Sequence, residues 1–285
     1  MGNCCSRQAA PPLISPRLYC LTEDGDEIVD YDVSSSTIAV HCLPHAVPAQ
    51  ARYCLLPSNC LLITGGRSRA ASLHSAVSSV YVFDPREGAN IRAKSPMLSA
   101  RFGQGLVLHE CSVFAISGSN DGIKALKSCE RYSYQGDQWS DSPSLLVGRI
   151  YAGVCALKNK LYVTGGSCGS DCIRVIEAYD VPLGTWALLD LRLPVSVWCH
   201  GCVAYETGVL VFGGCASDGQ SNLGCFLVSV VSKRITQLPG LPHEGEFVAT
   251  VQSWGESVYA LESYSTTTLC KFADGKWSVR PTIQL

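Results

Sequence analysis

The sequence repeats itself with a period close to 48 residues. Six short apolar segments recur along the chain, and they end at Leu21, Thr64, Ile116, Thr164, Phe212 and Leu261. The spacings between these ends are 43, 52, 48, 48 and 49 residues. A second set of residues lies upstream of the last four ends at a constant interval of 48: Gly105, Gly153, Gly201 and Ala249. Self-similarity at a fixed period of about 20 to 50 residues is typical of repeat proteins. The chain is therefore predicted to contain six copies of one small structural unit.

Each unit contains pieces of strand length, and the fourth unit shows their order best. An apolar stretch at 149–157 is followed by a strand that ends in Gly165-Gly166, a third strand at 175–180, a short segment with Trp186, and a turn at Leu193-Pro194. These pieces are rich in Val, Ile, Leu and Tyr and are bounded by Gly, Pro, Ser and Asp, which is typical of strands. No stretch of helical length has a sustained 3.6-residue period. We therefore expect an all-β chain of six four-stranded sheets arranged around an axis, closed into a ring that leaves no unpaired end.

The units resemble Kelch repeats over most of the chain, from about residue 13 to residue 285. The marks of that family are a double glycine, a Tyr-Asp pair and a tryptophan, and the fourth unit has all three in Gly165-Gly166, Tyr179-Asp180 and Trp186. The first unit keeps only Tyr31-Asp32 and the last only Trp277. The resemblance implies a six-bladed Kelch-type β-propeller with four-stranded antiparallel blades.

The repeat also predicts how the chain is divided. We expect a flexible tail at 1–12 and a propeller at 13–285, with units at 13–48, 49–98, 99–146, 147–194, 195–243 and 244–285. The first unit offers only three strands, at 17–21, 27–33 and 37–42, and the chain ends with a short segment at 281–285. This last segment is predicted to supply the missing innermost strand of the first blade.

Composition limits the compartment and the partners. The chain has 16 cysteines, no apolar segment after Met1 that would act as a signal peptide, and no Asn-x-Ser/Thr sequon. These features favour a reduced, cytoplasmic chain in which many cysteines are small buried hydrophobes. The apolar runs are far shorter than the roughly 20 residues of a membrane-spanning helix. With 22 basic and 24 acidic residues the net charge is -2, so we expect no nucleic-acid partner.

The first six residues suggest lipid attachment. Met1 to Ser6 fit the N-myristoylation pattern, with Gly2 as the acceptor, and Cys4 and Cys5 stand where a second acyl chain is commonly added. One myristoyl chain binds a membrane weakly, whereas two chains bind it stably. We therefore predict attachment to the cytoplasmic face of a membrane; an unmodified tail that happens to begin with glycine is the alternative.

Possible catalytic motifs have simpler structural explanations. Gly165 to Gly169 match G-x-S-x-G, but no helix follows, as a nucleophile elbow requires. Cys199 and Cys202 have a C-x-x-C spacing inside a predicted strand, where residues three apart point to opposite faces. Cys168 and Cys172 share a loop and could approach each other or a metal ion. Residues 23–27 are predicted to form an acidic hairpin turn rather than a calcium loop.

Other titratable residues do not assemble into a catalytic pattern either. The six histidines show no pairing with carboxylates that would mark a general base. Arg101 and Arg149 stand at equivalent repeat positions, which favours a structural role. We therefore predict a protein that is not an enzyme and needs neither a cofactor nor a metal ion.

The resemblance places partner binding in the loops that follow the glycine pairs, on the same face of the disc as the proline turns. Arg67, Arg69, Lys124 and Lys127 lie in two neighbouring loops, and Asp218 lies in the loop of the fifth unit. The four cations predict a basic sector that suits an acidic peptide; an ordinary solvated loop surface is the alternative.

These observations and the resemblance favour a non-catalytic scaffold that binds protein partners through one loop face. Two alternatives stay open: a substrate-recognition subunit of a ubiquitin ligase that acts with a partner in trans, and a Kelch-type sugar-processing enzyme. Fold alone does not decide among them.

Overall fold

The computed structural model describes residues 17–22, 24–69, 75–169, 171–242, 248–263 and 267–279. Within these ranges the regular structure consists of β-strands and one 3-10 turn at Pro85–Glu87. No helix in these ranges is long and apolar enough to cross a membrane. The lipidation candidates Gly2, Cys4 and Cys5 lie outside the described residues, and so does the C-terminal segment 280–285.

The strands form six sheets in chain order, one for each repeat. The first sheet has three strands: β1 (Arg17–Leu21), β2 (Glu27–Asp32) and β3 (Thr37–Cys42). The second has β4 (Arg52–Leu55), β5 (Leu61–Thr64), β6 (Val80–Phe83) and β7 (Ile91–Lys94). The third has β8 (Gly105–His109), β9 (Ser112–Ile116), β10 (Cys129–Ser133) and β11 (Gln138–Ser142). The fourth has β12 (Gly153–Leu157), β13 (Lys160–Thr164), β14 (Val175–Asp180) and β15 (Thr185–Arg192).

The remaining strands complete the ring. A two-stranded ribbon is formed by β16 (Val197–Trp198) and β19 (Cys215–Ala216). The fifth sheet has β17 (Gly201–Tyr205), β18 (Gly208–Phe212), β20 (Cys225–Ser229) and β21 (Arg234–Leu238). The sixth has β22 (Val248–Trp254), β23 (Ser257–Ser263), β24 (Thr267–Ala273) and β25 (Lys276–Val279).

Every sheet is an antiparallel meander in which consecutive strands are neighbours. The first strand of each four-stranded sheet lies at the axis, where β4, β8, β12, β17 and β22 follow one another around a central channel. The prediction of an all-β, six-bladed propeller with four-stranded antiparallel blades is confirmed, with the first blade contributing three described strands.

The core of the molecule lies between blades. Six apolar clusters of described residues occupy the six junctions, each built from the facing sides of two neighbouring sheets. At the junction that closes the ring, Leu18 and Tyr31 of the first blade pack with Tyr259, Leu261 and Leu269 of the sixth. Both faces of a sheet are therefore covered, which explains why the strands are apolar on both sides.

The glycine pair of the repeat joins each blade to the next. The amide of Gly66 donates to the Arg101 carbonyl at 2.9 Å, and that of Gly166 donates to the Val197 carbonyl at 2.8 Å. Gly65 has a φ of 60°, and a Cβ atom there would lie 2.4 Å from the Arg101 carbonyl oxygen of the next blade. Glycine is required because the backbone of one blade passes too close to leave room for a side chain.

The tryptophan of the repeat has a similar joining role. Trp139 stacks on Tyr132, with ring centroids 4.8 Å apart, and its indole nitrogen donates to the Ser95 carbonyl of the preceding blade at 2.9 Å. Ile38 takes the equivalent place in the first blade, opposite Tyr31, and its side chain is 42% exposed. The tryptophan therefore seals the outer end of a junction, and isoleucine seals it less completely.

Arg101 and Arg149 form buried ion pairs, which confirms their structural interpretation. Arg149 is 0% exposed, pairs with Glu177, and donates to the Val175 carbonyl at 3.0 Å. The third blade contains the equivalent pair, in which Arg101 lies 2.5 Å from Glu130. Burial lowers the pKa of Arg149, and the charge of Glu177 acts in the opposite direction.

The carboxylate of each pair also holds the proline-turn segment of the preceding unit. Glu177 accepts from the amides of Leu146 at 2.8 Å and Val147 at 3.2 Å. In the next repeat the residues equivalent to Leu146, Arg149 and Glu177 are Pro194, Val197 and Phe226. Proline has no amide hydrogen that needs an acceptor. In this repeat, apolar side chains therefore take the place of the ion pair and its hydrogen bonds.

The first blade contains the predicted acidic turn and a contact between a histidine and a carboxylate. Residues 24–26 form the predicted turn between β1 and β2, with the Gly25 amide donating to the Thr22 carbonyl at 2.9 Å. The expectation that no histidine lies near a carboxylate is wrong, because His41 Nε2 is 3.8 Å from Asp30 Oδ2. Sheet register brings the two together: His41 on β3 faces Ile28, two residues before Asp30 on β2. Arg17 is the nearer partner of Asp30, at 2.5 Å.

The strand predicted to close the first blade falls outside the described residues and stays a prediction. Deleting Thr282 to Leu285 is expected to lower the melting temperature by roughly 5 °C or more, because an unpaired inner edge of β1 loses its ladder hydrogen bonds. Circular dichroism melts of the intact and truncated chains measure this. The Tyr53 hydroxyl already donates to the Tyr19 carbonyl of β1 at 2.8 Å. An unchanged melting temperature would show that such side-chain contacts suffice and would refute the closing strand.

Candidate functional site

The inner strands begin around one opening of the central channel, which we call the mouth. Two residues before these strands the backbone adopts a left-handed conformation in four successive blades, at Gln50 (φ 57°), Gly103 (61°), Tyr151 (56°) and Cys199 (51°). Glycine adopts this conformation freely, whereas other residues do so at a cost of about 1 kcal/mol each. Three of the four positions hold a non-glycine side chain, and such strained residues cluster at functional sites.

Hydrogen bonds between blades hold this strained segment in place. The Tyr151 amide donates to the Gly103 carbonyl at 2.7 Å, and the Cys199 amide donates to the Tyr151 carbonyl at 3.0 Å. The expectation that Cys199 and His200 lie inside a strand is therefore wrong. The left-handed turn at Cys199 separates β16 from β17, which begins at Gly201.

Arg52 reaches across the mouth from the second blade. Its guanidinium carbon lies 5.8 Å from the ring centroid of Tyr151, a residue of the fourth blade. The Tyr151 hydroxyl donates to Gln50 Oε1 at 3.0 Å, back to the second blade. Burial raises the pKa of Cys199, in the fifth blade, to about 11, while the charge of Arg52 and a hydrogen bond to it act in the opposite direction. Cys199 is therefore a neutral thiol at neutral pH.

Aromatic rings surround this arginine. Trp198 lies beside Tyr151, with ring centroids 5.7 Å apart. The guanidinium of Arg67 lies 3.8 Å above the centroid of the buried Phe102 ring. A cation over an aromatic face keeps its charge while its stem is buried, so Arg67 is held in place without being neutralised.

The cations of this face have no described anion. Among the described residues, no carboxylate lies within salt-bridge distance of Arg52, Arg67, Lys124 or Lys127. Asp121, on the loop that carries Lys124, instead accepts backbone hydrogen bonds from Ile123 and Lys124, both at 2.8 Å. The mouth and the loop of the third blade therefore present uncompensated positive charge.

The five sequence-predicted loop residues occupy different places. Arg67 lies at the mouth, and Lys124 and Lys127 are exposed on the loop of the third blade. Arg69 turns the other way, because its Nε donates to the Val47 carbonyl at 3.0 Å. Asp218 is exposed on the turn after β19 in the fifth blade, where it accepts from the Gln220 amide at 3.0 Å. The structure thus places Arg67 at the mouth, whereas the Arg69 side chain is held against Val47.

Exposed apolar side chains accompany the two lysines. Ile123, next to Lys124, is 75% exposed. Leu146 is 46% exposed and follows Leu145, whose amide donates to the Lys127 carbonyl at 2.9 Å. The loop of the third blade therefore presents both positive charge and exposed aliphatic surface.

The wall behind the mouth contains two buried polar residues at equivalent repeat positions. Gln104 Nε2 donates to the Thr64 carbonyl at 3.0 Å, and His200 Nε2 lies 2.8 Å from the Thr164 hydroxyl. Each residue joins its blade to the preceding one. Burial lowers the pKa of His200 to about 3, with smaller contributions from the charges of Arg149 and Arg52. His200 is therefore a neutral structural residue and not a general base.

The channel behind the mouth has a volume of about 500 Å³. Arg52 stands at one end and Trp254 at the other, and small or apolar residues such as Gly105, Cys155 and Cys202 line its walls. No group of three or more His, Cys, Asp or Glu side chains able to hold a metal ion occurs in the described ranges. Ser167 donates to the Gly169 carbonyl at 2.9 Å, and the next strand of its blade is β14, so the G-x-S-x-G match belongs to the repeat turn.

Sequence reasoning missed the central residues of the mouth: Gln50, Arg52, Tyr151, Trp198 and Cys199. A signal for Arg52 existed in the repeat. Arg52 pairs with Thr64 as Gly153 pairs with Thr164, so an arginine replaces the glycine that begins the inner strand elsewhere. The side chains of the mouth have no such signal, because they come together only when the ring closes.

A protein-family model for the Kelch motif matches residues 148–189, which span the fourth blade with its glycine pair, Tyr179-Asp180 and Trp186. The fourth blade therefore carries a Kelch motif. Kelch-like protein 38 of Mus musculus is 26% identical over 218 residues, which cover 74% of this chain and 35% of that protein. Kelch repeat-containing protein kel-10 of Caenorhabditis elegans is 33% identical over 113 residues, 38% of this chain and 18% of that protein.

The chain spans about a third of the length of the Kelch-like protein 38 relatives it matches. Among solved structures, that of YjhT superposes with a TM-score of 0.76 at 13% identity, covering 93% of this chain and 96% of the other. At that identity the likeness supports the propeller fold alone.

Proposed function

We propose that this Kelch propeller is a non-catalytic scaffold whose mouth binds an acidic segment of a partner protein. The observation that carries the proposal is the pair Arg52 and Arg67, which are fixed by aromatic rings and face no described carboxylate. Guanidinium groups bind carboxylates through two parallel hydrogen bonds, and these are among the stronger polar contacts in proteins.

The partner is further defined by the surface next to the mouth. Lys124 and Lys127 extend the positive charge outward, while Ile123 and Leu146 offer apolar contact. An extended segment with acidic residues and at least one large apolar residue complements both features. The rigid, strained backbone of the mouth supports binding with little loss of conformational entropy.

Selection of random twelve-residue peptides on the purified protein tests this proposal. We expect enrichment of Asp and Glu together with a large apolar residue. Replacing Arg52 with alanine should weaken binding of a selected peptide about tenfold or more, because it removes a charge-assisted hydrogen bond. Lys233, an exposed cation on the turn between β20 and β21 at the opposite face, provides the control, and Lys233→Ala should bind normally. Selected peptides without acidic residues, or equal losses in both variants, would contradict the proposal.

We also propose that the N-terminus attaches the protein to the cytoplasmic face of a membrane through Gly2, Cys4 and Cys5. The support is the acylation pattern of residues 1–6. Arg17, the first described residue, begins β1 at the face opposite the mouth, which is compatible with a mouth directed away from the membrane. In cell fractionation, Gly2→Ala should move the protein from the membrane to the soluble fraction, since the first acyl chain is then lost. Equal membrane fractions for both forms would argue against acylation.

A substrate-recognition subunit of a ubiquitin ligase is the second candidate. The matched relatives include an F-box/kelch-repeat protein of Arabidopsis thaliana and a Kelch repeat and BTB domain-containing protein of Caenorhabditis elegans. In such a role the mouth would hold the substrate. The test is whether proteins captured through the mouth become more abundant when this chain is removed from cells, which a simple scaffold would not cause.

A further inference from the structure

At three junctions, neighbouring inner strands contribute side chains at equivalent positions to the same apolar cluster. The third described residue of one inner strand shares a cluster with the second residue of the next: Cys54 with Leu106, Val107 with Val154, and Cys155 with Cys202. The first two junctions combine at most one cysteine with an aliphatic residue. Between the fourth and fifth blades both positions hold cysteine, on β12 and β17.

The two thiols are close to each other and to the channel. A Cβ atom at Gly153 would lie 2.5 Å from Cys202 Cβ, so the two inner strands approach closely at this level. Both cysteines are free and line the channel behind the mouth. A hydrogen bond with Cys202 is the largest cause that raises the pKa of Cys155 well above its usual value, and burial adds to it. Cys155 therefore keeps its proton at neutral pH.

We propose that Cys155 and Cys202 are an oxidation site that forms a reversible disulfide between the fourth and fifth blades. The oxidant is a small hydroperoxide that enters through the channel of about 500 Å³. The Cys202 thiolate attacks the peroxide, the O–O bond breaks, and an alcohol or water leaves with a proton. The Cys155 sulfur then attacks the resulting sulfenic acid, an S–S bond forms, and water leaves. Two thiols lose two electrons and two protons to one peroxide.

The chemistry also predicts a pH dependence. The reacting species is a thiolate, and a thiol forms more thiolate as pH rises. The rate of disulfide formation should therefore rise as pH increases from 7 to 9. Tyr151 and Cys199 of the mouth lie only a few residues before Cys155 and Cys202, so the disulfide would join the strands directly behind the site.

The repeat provides a matched control. Val107 and Val154 occupy the equivalent places at the junction between the third and fourth blades. The variants Cys155→Val and Cys202→Val copy a pairing that the same fold already contains. They should fold with nearly unchanged melting temperatures and be unable to form the disulfide.

The experiment treats the full chain with hydrogen peroxide, alkylates free thiols in denaturant, and digests without reductant. We expect a cross-linked peptide pair containing Cys155 and Cys202, with a mass about 2 Da below the sum of the two thiol peptides, which disappears with dithiothreitol. The oxidised protein should melt roughly 5 °C higher, a shift absent from the valine variants. The proposal is overturned if both cysteines are recovered separately alkylated at a peroxide dose that oxidises the exposed Cys168, or if the valine variants show the same shift.

Discussion

Replacing Arg149 with valine is expected to lower the free energy of unfolding by about 3 to 5 kcal/mol. The change leaves the Glu177 carboxylate, which is 0% exposed, without its cation in a region that water does not reach. Losing one partner of a buried pair costs far more than losing both, because the remaining charge keeps its full desolvation penalty. Urea denaturation of the wild-type and variant proteins measures the difference.

The fifth blade shows how the lost stability can be recovered. The triple variant Leu146→Pro, Arg149→Val and Glu177→Phe copies Pro194, Val197 and Phe226 into the preceding repeat. It removes the buried charge and one of the amides that Glu177 satisfies, so it should regain most of the lost free energy. Two results would show that the ion pair does not stabilise the fold as we describe: a loss of less than about 1 kcal/mol in the single variant, or a triple variant that is no more stable than the single one.

Acidification is expected to destabilise the protein through His200. Its pKa is about 3 in the folded chain, because burial disfavours the imidazolium, and about 6.5 when the chain is unfolded. Below pH 6.5 the unfolded state therefore binds a proton that the folded state excludes. The free energy of unfolding should fall by about 1.4 kcal/mol for each pH unit between 6.5 and 3, on the order of 5 kcal/mol in total.

The variant His200→Gln separates this effect from the titration of carboxylates. Gln104 already makes the equivalent contact with Thr64, so glutamine should keep the tie to Thr164 without a group that titrates. Denaturation curves at several pH values should show a shallower acid dependence for the variant than for the wild-type protein. Parallel curves for the two proteins would mean that His200 takes up no proton on unfolding in this range.

Much of the fold follows from local rules. Strand-forming residues between Gly, Pro and Asp turns predict the meanders, and β14 lies at residues 175–180, as the pattern indicated. The repeat also identified Arg101 and Arg149 as structural, since equivalent positions in different blades meet the same neighbours. The errors occurred where a local pattern competes with closure: the segment before β17 reads as one apolar strand, but the junction with the preceding blade turns it at Cys199.

The candidate site was less accessible to this reasoning. The charged loop residues could be located in the sequence, but the directions of their side chains could not. Arg67 and Arg69 therefore appeared equivalent. In the structure Arg69 turns toward Val47, whereas Arg67 lies over Phe102. A side chain's direction depends on which ring or carbonyl it meets in a neighbouring blade. That information is absent from the two loops themselves.

The amino-acid order by itself determined the number of blades, their antiparallel order and the places where one blade must approach the next, because these depend on interactions within and between adjacent repeats. Only the tertiary structure decided the composition of the mouth. Arg52 and Tyr151 are 99 residues apart and belong to different blades, yet the closed ring brings their side chains together. The physical reason is that closure places the beginnings of all inner strands around one axis, whatever their separation along the chain.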